Sequence, residues 1–179
     1  MAMATKAAAK VAGKAKGVAK ALAGYPKIFH HLAAEHAELS TLLKRVSESG
    51  NNFRVREELF PEICKNLLAH AHAEEQEFYP VLRGFAELQT LVSQCAEEHS
   101  RIEAFVDNLE ATDITTAAWA SLFDRLVNAV MQHVEREENA LFPKAAELVS
   151  SEQSDEMYTS YDAVEEHEKE RLTPQHQHG

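Results

Sequence analysis

Two short stretches of the sequence place a histidine and a glutamate where a helix should carry an apolar stripe. In LLAHAHAEEQEFYP, His70 and Glu74 lie four residues apart, and AVMQHVEREENALFP repeats the arrangement with His133 and Glu137. Residues four apart share one face of a helix, so each pair projects from the face that also carries the apolar side chains. Burying such polar groups without partners costs about 1 to 3 kcal/mol each. Something in the core must therefore satisfy them.

The pattern occurs twice, at a spacing of 63 residues. The polar positions related by this spacing are His36 and His99, His70 and His133, and Glu74 and Glu137, and the same spacing relates Pro80 to Pro143. The apolar positions obey the same shift, for example Leu39 with Ile102 and Leu67 with Val130. Two copies of a helix pair predict a four-helix bundle with an internal two-fold repeat, and the short loops predict antiparallel, up-down-up-down neighbours.

The predicted fold class is all-α. The chain has only 6 Gly and 5 Pro, and helix-forming residues outnumber β-branched ones. Predicted helices cover about residues 26–47, 54–83, 86–110 and 114–149, and a short fifth helix over 155–171 should pack on the outside. Pro61 either starts the regular part of the second helix or kinks it. Asp113 is the candidate N-cap of the fourth helix.

The positive and negative charges are separated along the chain. Residues 1 to 27 carry six lysines and no acid, whereas the remainder carries 12 basic and 29 acidic residues. We therefore predict a basic Ala/Lys-rich arm over 1–25 that does not fold by itself, a bundle over 26–172 and a free tail over 173–179. The acidic body is a poor nucleic-acid binder, but the arm can bind an anionic partner weakly and with strong salt dependence.

The cysteines and the hydropathy pattern predict a cytoplasmic protein. Cys64 and Cys95 lack CxxC spacing, which fits reduced thiols better than a disulfide framework. No stretch approaches the roughly 20 apolar residues of a transmembrane segment, and the lysine-rich beginning lacks the apolar core of a signal peptide.

Four histidines and two glutamates in duplicated register favour a metal site. The candidate ligands are His36, His70, Glu74, His99, His133 and Glu137. Imidazole and carboxylate suit first-row transition ions, and six ligands match a dinuclear site in which each ion takes two histidines and both carboxylates bridge. No ExxH motif precedes these histidines, which counts against a ferritin-like site. A polar network without metal remains the alternative.

The order His, HxxxE, His, HxxxE along four helices resembles the hemerythrin HHE cation-binding family. The resemblance covers about residues 28–171 and includes the segments EEQEFYP and EENALFP. It implies two non-haem iron ions joined by an oxo or hydroxo bridge. The implied ligands are His36 and His70 for one iron, His99 and His133 for the other, and Glu74 and Glu137 as bridges. The implied chemistry is binding or sensing of dioxygen, related small oxidants or iron.

The chain departs from the oxygen carriers of that family in two ways. The carriers have a further histidine four residues along the third helix, where His99 here has Cys95 and Glu103 at those distances. They also end on HxxxxD, whereas this chain has HxxxE. Both departures weaken reversible oxygen carriage. Two alternatives stay open, a di-iron enzyme that reduces peroxide or nitric oxide and a metal-stabilised scaffold whose basic arm binds an anionic partner.

The other histidines, glutamates and cysteines of interest have predicted roles other than that of a metal ligand. We expect solvent-facing positions for His30, His31, His167, His176 and His178. Candidate partners to the predicted ligand histidines are Glu75 and Glu138, which flank the apolar stripe, and His72, which lies about 200° round the helix from His70. Cys95 lies on the stripe of the third helix and is expected to be a small core residue.

Overall fold

The computed structural model describes residue 22 and residues 24–173. Most of the predicted arm and tail, with His176 and His178, therefore lie outside the described residues. The described helices are α1 (Lys27–Ser47), α2 (Phe53–Ala73), α3 (Tyr79–Leu82), α4 (Gln89–Glu110), α5 (Ala117–Arg136), α6 (Phe142–Leu148) and α7 (Ser151–Leu172). Two π-helical segments, π1 (Glu74–Phe78) and π2 (Glu137–Leu141), join α2 to α3 and α5 to α6.

Four helical rods form the bundle: α1, α2–π1–α3, α4 and α5–π2–α6. In the described residues, α1 packs against α2 and α5, and α4 also packs against both α2 and α5. The short connections make neighbouring rods antiparallel, so the predicted all-α, up-down-up-down bundle is confirmed. Across residues 24–173 there is no strand, and no helix combines the length and hydropathy that crossing a bilayer requires.

The core consists of two apolar clusters with a polar layer between them. Leu32 and Phe78 belong to one cluster, and Leu39 and Leu67 belong to the other. His36 follows the first cluster and precedes the second along α1, and the other three rods pass through the two clusters in the same way. The polar layer is thus shielded from water at both ends of the bundle.

The prolines of the repeat explain the two π segments. A proline inside a helix has no N–H to donate, and its ring clashes with the carbonyl four residues earlier. Pro80 and Pro143 each lie two residues after the end of a π segment. In π1, the wider turn pairs the Tyr79 N–H with the Glu74 carbonyl. The helix therefore continues through the proline with one extra residue in the turn. The apolar periodicity of a regular α-helix, 3.6 residues, gave no indication of the two π segments.

The fifth predicted helix, α7, is longer than expected. It spans 22 residues and begins with a capping box, in which the Ser150 side chain accepts from the Gln153 N–H and the Gln153 side chain accepts from the Ser150 N–H. Met157 and Tyr161 are buried, and α7 packs against α1 and α2. The helix thus places side chains beside the polar layer instead of only covering the outside.

Two local predictions need correction or completion. Thr116, and not Asp113, is the N-cap of α5, because its hydroxyl accepts the Trp119 N–H at 3.1 Å. The Asp113 carboxylate accepts from the backbone N–H of Thr115 within the preceding turn. Pro61 lies inside α2, which already begins at Phe53.

The domain bounds 1–25, 26–172 and 173–179 stay predictions. Leu22, which the sequence assigned to the arm, is buried in the same apolar cluster as Phe29. A deletion that probes the arm should therefore end before this residue.

Candidate metal centre

The structure brings all six candidate ligands into the polar layer. Each has at most 2% of its surface exposed, and they are His36, His70, Glu74, His99, His133 and Glu137. The histidines form two pairs that follow the repeat. Ring centroids are 5.0 Å apart for His36 and His70, and 4.5 Å apart for His99 and His133. Each repeat therefore supplies one end of the site.

The two glutamates lie between the histidine pairs. Glu74 Oε2 is 3.4 Å from His70 Nε2 and 3.2 Å from His99 Nε2. Glu137 Oε2 is 3.3 Å from His36 Nε2 and 3.5 Å from His133 Nε2. Each carboxylate thus touches one histidine from each repeat, which is the placement that a shared ligand of two ions requires.

Several buried atoms of the site make no hydrogen bond of good geometry, although His36 Nε2 and His70 Nε2 each have a carboxylate oxygen 3.3 to 3.4 Å away. They are His36 Nε2, His70 Nε2, Glu74 Oε1 and Glu137 Oε2. Unsatisfied buried polar atoms are rare in folded proteins because each costs desolvation free energy. Four of them converging in one layer, on residue types that bind transition ions, fit a site for metal. They fit less well with a self-sufficient hydrogen-bond network.

Each candidate histidine ligand is held from behind by a carboxylate on its Nδ1 atom. The pairs, with their Nδ1–oxygen distances, are His36 with Glu138 at 3.0 Å, His70 with Glu35 at 3.0 Å, His99 with Glu75 at 3.1 Å and His133 with Glu98 at 3.3 Å. A carboxylate that accepts the Nδ1–H fixes the tautomer and directs the Nε2 lone pair to the opposite side of the ring. All four Nε2 atoms therefore face the two glutamates.

These outer carboxylates follow the same repeat of 63 residues, with Glu35 matching Glu98 and Glu75 matching Glu138. Glu75 and Glu138 were predicted as partners of the ligand histidines, and the structure places them there. The sequence analysis missed Glu35 and Glu98. The sequence does carry an indication, since each directly precedes a candidate ligand, but each contacts a histidine of a neighbouring helix instead.

Burial and the neighbouring carboxylates act in opposite directions on the pKa values of the buried imidazoles. Burial disfavours the charged form of His36, but Glu137 and Glu138 outweigh it and raise its pKa to about 10. Burial likewise opposes charge on His99, where Glu74 and Glu75 raise the pKa to about 9. In His70, by contrast, burial dominates and lowers the pKa to about 4. The layer is thus negative enough to hold protons on buried rings, which a cation would have to displace.

Two buried tyrosines complete the layer, and the sequence analysis assigned a site role to neither. The Tyr79 hydroxyl donates to Glu137 Oε1 at 2.8 Å and lies 3.3 Å from His99 Nε2. The Tyr161 hydroxyl, from α7, donates to Glu35 Oε2 at 2.7 Å and lies 2.8 Å from His70 Nδ1. Tyr79 therefore faces the inner, Nε2 side of the histidines, whereas Tyr161 faces the outer, Nδ1 side.

The other histidines that the structure describes lie outside the layer. His30 and His167 are exposed, as predicted. The prediction for His31 needs correction, because its ring packs edge-on against Tyr158 and Tyr161 and is only partly exposed. His72 contacts no candidate ligand histidine among the contacts that the structure describes.

His72 links three helices instead. Its two ring nitrogens are 2.8 Å from Glu168 Oε2 on α7 and 3.0 Å from Glu103 Oε1 on α4. Cys95 is fully buried in the apolar cluster that includes Phe78, in agreement with the small core residue predicted.

The outer carboxylates give a testable prediction. The substitutions Glu35→Gln and Glu98→Gln keep the size of each side chain but remove the charge that orients His70 or His133. We expect metal affinity to fall about 10- to 100-fold for each variant, measured by competition with a chromophoric chelator. Glu166→Gln, an exposed change on α7, serves as the control. Unchanged affinity in both test variants would contradict an orienting role.

Comparison with known proteins adds two findings. A family model described as "Hemerythrin HHE cation binding domain" matches residues 27–145. Among curated proteins, the chain is similar to a DNA nickase of Nostoc sp. (strain PCC 7120 / SAG 25.82 / UTEX 2576), with 29% identity over 139 residues. The match covers 77% of this chain but only 39% of the nickase, so the chain spans well under half of that relative. No solved structure matches significantly.

Proposed function

Because the chain belongs to the hemerythrin HHE cation-binding domain family, we propose that it is a non-haem di-iron protein that binds or senses dioxygen or related small oxidants, or iron itself. One iron is held by His36 and His70 and the other by His99 and His133. Glu74 and Glu137 are shared between the ions. The family match and the histidine–glutamate clusters establish a cation-binding domain with candidate ligands, and the identity and number of the ions are part of the proposal.

The observation that carries the proposal is the sharing of the two glutamates. The Oε2 atom of each glutamate lies 3.2 to 3.5 Å from one histidine of each repeat. Around the four imidazoles lie these two carboxylates and four more behind the rings. The two shared carboxylates are fully buried. Burying two negative charges is expensive unless cations balance them, and two multivalent ions supply the balance.

Burial of the site restricts what can react there. All six candidate ligands are shielded by the two apolar clusters, so a large substrate cannot reach them without unfolding the bundle. A small neutral molecule such as dioxygen can cross an apolar layer. When bound, the iron pair supplies one-electron redox chemistry, and the protein contributes the fixed imidazoles, the shared carboxylates and a dry surrounding.

The reaction of the reduced, iron-loaded protein with oxygen tests this function. Helix α4, the third rod of the bundle, lacks the extra histidine of the oxygen carriers. We therefore expect oxygen to oxidise the iron pair irreversibly, and we do not expect the protein to store oxygen. The reduced protein is prepared anaerobically and mixed with oxygen in a stopped-flow instrument. The visible spectrum of the oxidised protein should appear, and subsequent exposure to vacuum should release no oxygen. Full recovery of both oxygen and the reduced spectrum under vacuum would restore the carrier interpretation. No spectral change with oxygen, peroxide or nitric oxide would contradict an oxidant-responsive function.

Reduction of peroxide or nitric oxide is the alternative reaction at the same centre. An enzyme must reduce many molecules of peroxide or nitric oxide per protein, whereas a sensor needs to be oxidised only once. Mixing the reduced protein with excess hydrogen peroxide or nitric oxide, with a continuous electron donor, separates the two. Sustained consumption that is lost in Glu137→Ala would favour the enzyme.

A second candidate function is binding to an anionic partner such as DNA through the basic arm. It is favoured by the six lysines within residues 1–27 and by the name of the Nostoc relative, a DNA nickase. The buried centre gives a DNA backbone no access, so we propose no nicking role for it. Gel-shift titrations should show weak binding that falls steeply with salt and disappears on deletion of residues 1–20. Equal binding by the deleted protein would contradict a role of the arm.

A further inference from the structure

On its inner side, where the histidine Nε2 atoms lie, the polar layer contains the Tyr79 hydroxyl in addition to the six candidate ligands. We propose that the phenol oxygen of Tyr79 is a seventh protein ligand, bound to the ion that His99 and His133 face, so that the two metal positions are chemically unequal. The inference rests on the proposed function, since it requires the metal pair.

The position of the phenol oxygen among the inner atoms carries the proposal. It is 2.8 Å from Glu137 Oε1, 3.3 Å from His99 Nε2 and 3.4 Å from Glu74 Oε2. Within the same group, His99 Nε2 is 3.1 Å from the Nε2 atom of His133. Adjacent ligands of an octahedral ion with bonds of about 2.1 Å are about 3 Å apart. The oxygen thus has the spacing of a ligand of the same ion.

The internal repeat shows that the two ends of the layer differ at this position. Phe142 is the repeat counterpart of Tyr79, 63 residues later. The Phe142 ring stacks on His36 at 5.9 Å, and the Tyr79 ring stacks on His99 at 5.4 Å. Both ends therefore have an aromatic ring over the first histidine of the repeat, but only the Tyr79 end has an oxygen. The end at His36 keeps the more open position for a small exogenous ligand.

The π1 segment explains why Tyr79 reaches the layer. In a regular helix, Tyr79 would lie nine residues after His70 and would point about 180° away from it. The extra residue in the π turn removes about 100° of this rotation, and the Tyr79 side chain is fully buried. The widened turn that accommodates Pro80 thus also supplies the oxygen.

Binding of this oxygen is an acid–base step without electron transfer. The phenolic O–H bond breaks, an oxygen–metal bond forms and the proton passes to solvent. The hydrogen bond to Glu137 is lost at the same time, which leaves that carboxylate oxygen free for metal. Loading of the native protein should therefore release one proton more than loading of a variant with phenylalanine at this position.

The test uses Tyr79→Phe, with Tyr161→Phe as the matched control. Phenylalanine already occupies the equivalent position 142, so the bundle has a precedent for this ring without its hydroxyl. Tyr161 is also buried and contacts a candidate ligand, but on the outer Nδ1 side. The readouts are iron per chain, the visible spectrum of the ferric protein and resonance Raman scattering excited in its visible band.

The ferric wild-type protein should show a phenolate-to-iron charge-transfer band and phenolate vibrations in the Raman spectrum. Tyr79→Phe should lose both completely with its iron content retained, and Tyr161→Phe should keep both. Iron-loaded wild type without phenolate vibrations, or with vibrations that survive in Tyr79→Phe, would overturn the ligand assignment but leave the di-iron proposal intact. Wild type that binds no iron would overturn the proposed function itself.

A second measurement, on wild-type protein alone, tests tyrosine ligation even if the Tyr79→Phe variant does not fold. Wild-type protein produced with ring-deuterated tyrosine should shift the phenolate vibrations to lower frequency. A visible-band Raman spectrum without any such shift would contradict tyrosine ligation.

Discussion

Removing the metal is expected to lower the melting temperature of the protein by about 10 °C or more. An ion that binds only the folded state, at a free concentration 1,000 times its dissociation constant, stabilises by about 4 kcal/mol. For a chain of this size, 1 kcal/mol corresponds to about 2–4 °C. Without metal, the bundle also keeps unsatisfied nitrogen and oxygen atoms buried in the layer, among them His70 Nε2 and Glu74 Oε1.

The experiment compares the loaded protein, the chelated protein and chelated protein to which iron has been restored. Metal analysis of each sample ensures that the melting temperatures refer to known occupancies. Restored iron should recover the original melting temperature. Equal melting temperatures in samples whose metal content differs by two ions per chain would contradict the coupling of metal and fold, and would favour the metal-free polar network.

Replacing either shared glutamate is expected to affect both ions, whereas replacing one histidine should mainly empty one position. Glu74 Oε2 and Glu137 Oε2 each touch histidines from both repeats. Glu74→Ala and Glu137→Ala therefore remove a ligand from both ends of the layer. His36→Ala removes a ligand from one end only, and we expect it to retain about one ion per chain.

Iron per chain after anaerobic loading and desalting measures the difference. Glu77→Ala is the matched control, because this glutamate lies in the same π segment as Glu74 but is not among the clustered side chains of the layer. It should keep the wild-type content. Wild-type content in Glu74→Ala and Glu137→Ala would show that the assignment of shared ligands is wrong.

Much of the fold and the inner site could be predicted from the sequence because both depend on regular periodicity. The inward faces follow the spacing of three and four residues, and the repeat places His36 and His70 in register with His99 and His133. A buried histidine in each of four helices leaves few arrangements other than a common layer. The helical bundle is accordingly confirmed, and the six side chains lie together. Their binding of metal stays a prediction.

The features that the sequence analysis missed depend on local departures from that periodicity or on contacts between helices. Tyr79 enters the layer because a π turn near Pro80 changes the helical phase. Glu35 contacts His70 across the boundary of two helices, and neighbours in sequence do not reveal such a pairing. Tyr161 belongs to α7, whose mostly polar sequence gave little indication that it would reach the site.

The difference between Tyr79 and its repeat counterpart Phe142 has a general consequence for the site. The six candidate ligands are nearly symmetric, because the two halves of the chain supply equivalent residues. Asymmetry enters through single positions, with a hydroxyl at Tyr79 and none at Phe142. Function at such a centre can therefore change through one side chain while the six candidate ligands stay the same.

The central claim is that six buried residues hold two iron ions in shared coordination. Anaerobic titration of the metal-free protein with ferrous iron, followed by oxidation and Mössbauer spectroscopy, tests it most directly. We predict saturation at two irons per chain and, after oxidation, a magnetically coupled ferric pair with a diamagnetic ground state. Saturation at one iron or none, or two ferric ions that are magnetically independent, would contradict the shared site formed by Glu74 and Glu137.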